Sequence, residues 1–305
     1  MTDARPSGAP KVTLRDVSKE YETTGRTVTA LRSIDAAFRE GELVSVLGPS
    51  GGGKTTLLRL IAGLESPTGG EIRVDGRRVA GPGPERGIVF QEPTLFPWRS
   101  VAENVRFGLE ETDVGPEATA RRVESLLTTV GLDDRADAAP GELSGGMKKR
   151  VEIARALAPD PELLLLDEPF GNLDARTRAE LQRDLLETWE RTGKTIVFVT
   201  HATGEAIKLS DRVLVLGSDG TIAERIDVDL PRPRRPTGSA FRAYKNRLVR
   251  AIRGRGAPES PREPAPGRSR TAPEYRSRDA SPGEDPDGDA RNTRIKNTRT
   301  RNTRI

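Results

Sequence analysis

The chain has 305 residues, 34% of them hydrophobic, and no cysteine; it is long enough for one large domain or two small ones, offers neither a disulfide nor a thiolate metal site, and its low apolar share leaves part of it without a core to join. No apolar run approaches the roughly 18 residues of a membrane span, and residues 1–10 lack the apolar segment of a signal peptide. The net charge of +4 is unevenly spread, with 20 Lys+Arg against 8 Asp+Glu in residues 231–305 and 30 against 38 in the rest, so the remainder gives no reason to expect a nucleic-acid partner.

Residues 1–10 are expected to be disordered. Residues 11–42 read as β-rich, with Val12, Leu14 and Val17 alternating, a turn at Gly25, and a second apolar group at Val28, Leu31 and Ile34. A short sheet is expected there. The apolar run from Leu43 to Leu47 is followed by Gly48, Pro49, Ser50, Gly51, Gly52, Gly53, Lys54, Thr55 and Thr56, and then by a helical run ending at Gly63. This is the strand, glycine loop, helix order of a phosphate cradle. The glycines let backbone N–H groups curl around phosphate oxygens, and the helix presents its positive end to the same anion. Lys54 would face the β and γ phosphates, and the Thr55 hydroxyl would hold magnesium.

Residues 71–74 followed by Asp75 and Gly76 read as a strand entering a hairpin turn. Residues 87–91 read as a buried strand ending in the amide of Gln91. From 92 to 150 the pattern turns helical, with Val123, Leu126, Leu127 and Val130 at helical spacing, which predicts a helical insertion. Beyond 150, a helix running to Pro159, a leucine run from Leu163 to Asp167, a helix lined by Leu181, Leu185, Leu186 and Trp189, and buried runs at 196–200 and 213–216 restore α/β alternation. Such runs predict a parallel sheet covered on both faces. Phe241, Tyr244 and Leu248 could lie on one short helix within 231–253. Residues 254–305 have almost nothing to bury and are expected to form a disordered basic tail.

Three further features carry chemistry. Asp167 and Glu168 stand at the end of the buried leucine strand, where ligands of open α/β sheets collect; Asp167 suits a magnesium shell and Glu168 the activation of a water. Ser144, Gly145 and Gly146 precede a helix and form a second helix-end anion site. One nucleotide does not need two such sites from one chain, so the second would serve a partner copy. His201, the only histidine, follows the strand ending at Thr200.

With these motifs in this order, the chain resembles the nucleotide-binding subunit of an ATP-binding cassette (ABC) transporter over about residues 11–253. The resemblance implies an α/β fold: a P-loop NTPase (RecA-like) core, a small antiparallel β subdomain and an inserted α-helical subdomain, with the ATPase domain at 11–230. In the family pattern residues 48–55 match Walker A, Gln91 the Q-loop, Leu143 to Met147 the signature, residues 163–168 Walker B, Asn172 to Asp174 the D-loop, and His201 the switch histidine. Tyr21 falls where the family stacks an aromatic ring on adenine. The resemblance thus implies ATP and Mg2+ as cofactors, with ATP held by Tyr21, residues 48–56, Ser144, Gly145, Gly146 and Asp174. It implies metal contacts from Thr55, Gln91 and Asp167, and catalysis by Glu168, His201 and Gln91. Lys148 and Lys149 stand where the family usually has Gln or Arg followed by Gln, and Ala202 where Asp often follows the histidine.

The run from Pro82 to Trp98, the Met147 signature and residues 229–234 are similar to the ATPases of nitrate, sulfonate and taurine importers. The implied function is ATP hydrolysis driving import of such a solute, with a thiamine precursor as an alternative. A soluble ABC ATPase of DNA maintenance or translation is disfavoured by the single P-loop and the lack of sustained heptads. The implied partners are a second copy head to tail, membrane permease subunits, and indirectly a solute-binding protein, with the chain on the cytoplasmic face of the membrane. Leu95, Phe96 and Trp98 either fill the small-domain core or receive a helix of the permease.

Overall fold

The computed structural model describes residues 10–110 and 112–253; the expectations for residues 1–9 and for 254–305 lie outside them. β1 (Pro10–Thr23) and β2 (Arg26–Arg39) pair antiparallel around Gly25 as a hairpin of two 14-residue strands, longer than the short sheet the sequence predicts. Register shifts absorb the extra length, and Asp16 and Ser33 sit at φ 48 where the pairing slips. β3 (Leu43–Leu47) runs into the glycine loop and α1 (Lys54–Ala62), which Gly63 closes through N–H bonds to the carbonyls of Arg59 and Leu60. β4 (Gly69–Val74) and β5 (Arg77–Arg78) meet at Asp75 and Gly76, whose φ values of 50 and 71 are those of a two-residue hairpin turn. With β1 and β2 they form a four-stranded antiparallel sheet, ordered β2-β1-β4-β5.

Next come β6 (Arg86–Val89), α2 (Val101–Phe107), α3 (Pro116–Thr129), α4 (Gly145–Leu157) and β7 (Leu163–Asp167). Among the described residues no strand interrupts this helical stretch between β6 and β7. α4 runs through residue 150, because Val151, Ile153, Ala154 and Leu157 continue its buried face. The chain then alternates through α5 (Ala175–Thr192), β8 (Thr195–Thr200), α6 (Thr203–Leu209), β9 (Arg212–Leu216), β10 (Ile222–Asp227) and α7 (Ser239–Arg253).

Six strands form the larger sheet in the order β10-β9-β3-β8-β7-β6, parallel except for β10. Every residue of β3, β7 and β8 is buried, as continuous apolar runs require of strands covered on both faces. One face and the small sheet share α1: Leu57, Leu58, Leu60 and Ile61 pack with Val12, Leu14 and Ile34 below and Val46, Leu165 and Val199 above. Each such side chain contributes about 1.5–3 kcal/mol by leaving water. The other face packs against α2 to α5. α7 is no loose appendage, since Phe241 and Leu248 are buried against Val213, Val215, Ala206 and Ile207.

Candidate nucleotide site

The register places the candidate residues. Leu43 pairs with Ile196, Leu163 with Thr195 and Val89 with Leu166, so the C-terminal ends of β3, β8, β7 and β6 reach one edge of the sheet together. Loops leaving those ends carry the glycine loop, His201, Glu168 and Gln91. That edge is where a parallel sheet offers a ligand crevice.

The glycine loop closes tightly. Gly53 sits at φ 82, and a Cβ there would collide with the Ala30 carbonyl and the Leu31 side chain, so only glycine fits. Gly53 caps α1 with no side-chain acceptor, and the first turn of α1 carries no acidic residue. The leading N–H groups thus meet neither a capping side chain nor a competing carboxylate, as anion binding requires. Lys54 is buried at 6% exposure and donates to the Pro49 carbonyl at 2.7 Å. Burial pulls its pKa down, while Glu168 and Asp167 pull it back up.

Thr55 donates its hydroxyl to Asp167 Oδ1 at 3.1 Å. Burial raises the Asp167 pKa and the Glu168 charge adds to the rise; the Thr55 hydrogen bond opposes it. Glu168 is held at φ 42, its N–H donating to the Val199 carbonyl at 3.1 Å and its carbonyl accepting from Gly171 at 3.0 Å. This left-handed turn swings its carboxylate toward β8, where Oε2 lies 3.2 Å from His201 Nδ1. The loop bearing His201 is pinned in turn: the Ala202 N–H donates to the Thr200 hydroxyl at 3.0 Å, and that hydroxyl donates to Glu205 at 2.6 Å.

Tyr21 reaches α1 from the small sheet, donating to Glu65 at 2.5 Å with Thr56 Oγ1 at 3.4 Å, while the Lys19 ammonium lies 5.0 Å from the ring centroid. Ser144 caps α4, accepting from the Met147 N–H at 3.3 Å. Among the described residues no hydrogen bond joins Ser144, Gly145 or Gly146 to the glycine loop. The two glycines face the start of α5 and the residues before it instead: a Cβ on Gly145 would lie 3.5 Å from Leu173, and one on Gly146 would strike Thr177. Asp174 caps α5 by accepting from the N–H groups of Arg176 and Thr177, both at 3.0 Å. The structure therefore gathers Tyr21, the glycine loop, Asp167, Glu168 and His201 around α1 and the sheet edge, and sets Ser144, Gly145, Gly146 and Asp174 apart at the heads of α4 and α5. Of the aromatic run after Gln91, Leu95 packs on the core, Phe96 meets Phe107 at 4.6 Å and Trp98 is 76% exposed. Leu95 thus takes the core reading and Trp98 the surface one.

Sequence reasoning missed the groups that hold these loops. Lys149 is buried and donates to the Phe90 and Gln91 carbonyls, and Glu205, half-buried and bonded to the Thr200 hydroxyl just before His201, has its pKa raised by desolvation. The three-residue spacing of Lys149 and Glu152 signals a helix-surface ion pair, and nothing local shows that the pair faces inward.

A model of the family described as "ABC transporter" matches residues 31–171. The chain is 42% identical over 257 residues to the nitrate import ATP-binding protein NrtD of Synechocystis sp., which covers 81% of this chain and 97% of that protein. It is 49% identical over 192 residues to the taurine import ATP-binding protein TauB of Pelagibacter ubique, covering 63% and 72%. Among solved structures, the ATP-binding cassette MJ0796, a dimer in a post-hydrolysis state bound to ADP and Pi, aligns with a TM-score of 0.64 at 32% identity, over 72% of this chain and all of that one. The phosphate loop, the carboxylates beside it and these likenesses converge: the chain belongs to the ABC transporter family, as one of its ATP-hydrolysing cassettes.

Proposed function

We propose that this chain hydrolyses ATP to drive import of a small oxyanion or sulfonate such as nitrate, taurine or an alkanesulfonate through separate permease subunits. Two copies act head to tail at the cytoplasmic face of the membrane, and a solute-binding protein delivers the cargo from the other side. The observation that carries the catalytic part is the edge on which Lys54, Thr55, Asp167, Glu168 and His201 meet, with Thr55 and Asp167 joined at 3.1 Å and Glu168 and His201 at 3.2 Å. The names of the relatives support the class of solute, and the dimeric cassette supports the pairing. No helix among the described residues is long and apolar enough to cross a membrane.

In this reading Tyr21 stacks on the adenine, and the N–H groups of the loop from Ser50 to Thr56 and the Lys54 ammonium take the phosphates. Ser144, Gly145 and Gly146 of the second copy close over the γ-phosphate, with Asp174 shaping that boundary through its cap on α5. The donor set fits magnesium. Among the described residues no cluster of three or more His, Cys, Asp or Glu side chains could hold a metal alone; a hydroxyl, a carboxylate and an amide from Thr55, Asp167 and Gln91, completed by phosphate oxygens, suit a hard ion that dehydrates reluctantly. Magnesium, held there by Thr55, Asp167 and Gln91, would supply positive charge against the phosphates. Glu168 accepts a proton from the attacking water, and His201 orients that water and senses the γ-phosphate.

Deleting the gene tests the solute. Growth on taurine or an alkanesulfonate as sole sulfur source, or on nitrate as sole nitrogen source, should fail and return with the intact gene. Unchanged growth on all three removes these solutes and directs the search to a thiamine precursor or another solute.

A further inference from the structure

Three side chains spaced along one face of α4 reach back onto the loop that follows β6. Lys149 Nζ donates to the carbonyls of Phe90 at 2.7 Å and Gln91 at 3.2 Å and pairs with Glu152 at 2.8 Å. Glu152 accepts from the Thr94 N–H at 2.6 Å and its hydroxyl at 3.2 Å. Arg155 donates to the Thr94 carbonyl at 2.9 Å and its hydroxyl at 2.6 Å. Lys149 and Glu152 are 4% and 1% exposed, so the bonds between Lys149, its two carbonyls and Glu152 are charge-assisted and largely shielded from water, strong and demanding in geometry, while those of Arg155 to Thr94 lie at the surface. Their target is informative. The main chain of Gln91 is held through its carbonyl, while among the described residues no hydrogen bond engages its side-chain amide and the residue is exposed. A fixed backbone with a free amide is how a ligand is aimed without being consumed.

The same helix begins at Ser144, whose N-cap opens the second anion site. α4 is a 13-residue rod with that site at one end and the Gln91 clamp on its flank. We propose that Lys149 is a positioning residue of the ATPase: it ties the main chain of Gln91 to the helix that carries Ser144, Gly145 and Gly146, so that the Gln91 amide is aimed at the metal of this chain's own nucleotide. This rests on the reading of Gln91 as a metal contact. It also gives a physical role to the lysine that stands where the family usually has glutamine: a longer side chain with three donors spans two successive carbonyls and a carboxylate together.

The test uses the full-length chain with a non-hydrolysable ATP analogue and Mn2+ in place of Mg2+, its free concentration read by electron paramagnetic resonance. Lys149→Met should weaken Mn2+ binding about tenfold, as loss of an outer-shell partner does. Affinity for the analogue without metal should stay within about twofold, and Lys149→Arg, which can still donate to both carbonyls, should recover most of the loss. Gln91→Ala should show a similar loss, and combining it with Lys149→Met should add nothing further, the mark of two residues acting on one term. Should Lys149→Met fail to fold because it strands the Glu152 charge, Lys149→Met/Glu152→Gln carries the same measurement without a lone buried ion. A Lys149→Met chain that melts earlier yet binds Mn2+ as tightly as the parent overturns the proposal and leaves the clamp purely structural. If Gln91→Ala alone leaves Mn2+ binding unchanged, the reading of Gln91 fails, and the proposal with it. Loss in Lys149→Met that adds fully to that of Gln91→Ala sinks the proposal alone.

Discussion

Replacing Glu168 by glutamine separates chemistry from folding at this site. The backbone of Glu168 is fixed by bonds that do not involve its carboxylate, the N–H to Val199 and the carbonyl to Gly171, and the carboxylate meets only His201 Nδ1 in hydrogen bonding among the described residues. A glutamine amide can face either tautomer of that ring, donating or accepting, so Glu168→Gln should change stability by no more than about 0.5 kcal/mol. It does remove the proton acceptor. A positioned general base contributes about 10²–10⁴-fold, which is about 2.7–5.4 kcal/mol of barrier at about 1.36 kcal/mol per tenfold. Phosphate release should therefore fall by at least about a hundredfold while ATP affinity stays within about threefold. Binding without turnover should also trap the closed pair, so light scattering should show a dimer that depends on ATP and Mg2+, and Ser144→Arg added to Glu168→Gln should abolish it by placing bulk where the γ-phosphate docks. A Glu168→Gln chain that hydrolyses within about tenfold of the parent refutes the role of Glu168. One that binds ATP with magnesium yet stays monomeric counts against the head-to-tail pairing.

Asp167→Asn should stop metal-dependent hydrolysis and raise the melting temperature of the nucleotide-free chain at neutral pH. Burial holds the Asp167 pKa above its ordinary value, so its ionised form costs stability above that raised pKa, and the cost is relieved as pH falls through it. Melts over a pH series should show the gain shrinking toward acid, and a variant that melts lower at neutral pH contradicts the sign. Gly53→Ala should cost at least the roughly 1–2 kcal/mol of a left-handed backbone, with more to move the Ala30 carbonyl; a urea midpoint equal to the parent's, with ATP binding intact, would refute the packing argument. Trp98→Ser should leave the melting temperature nearly unchanged, since the residue is 76% exposed, yet lower solute uptake in cells; normal uptake would mean the permease docks elsewhere.

Much of this architecture is legible locally. The buried runs of β3, β7 and β8, the glycine that ends α1 and the glycine that ends α5 at Gly193 are written in neighbouring residues. Burial on both faces of a strand shows as unbroken apolarity, and a left-handed cap demands glycine at one position. The order of the phosphate loop, the carboxylate pair and the histidine is likewise linear, so the family could be named from it. What needed the folded chain is everything set by pairing at a distance. The length of β1 and β2 depends on bulges that relieve mismatched twist, and no alternation of residue types records them. Lys149 looks like one of two exposed lysines in a basic stretch, because its partners at Phe90 and Gln91 are 59 and 58 residues away. A carbonyl has no sequence signature, since every residue carries one. Only the packing of α4 against β6 decides which carbonyls a buried ammonium will find, and so only the tertiary structure ties that lysine to the main chain of Phe90 and Gln91.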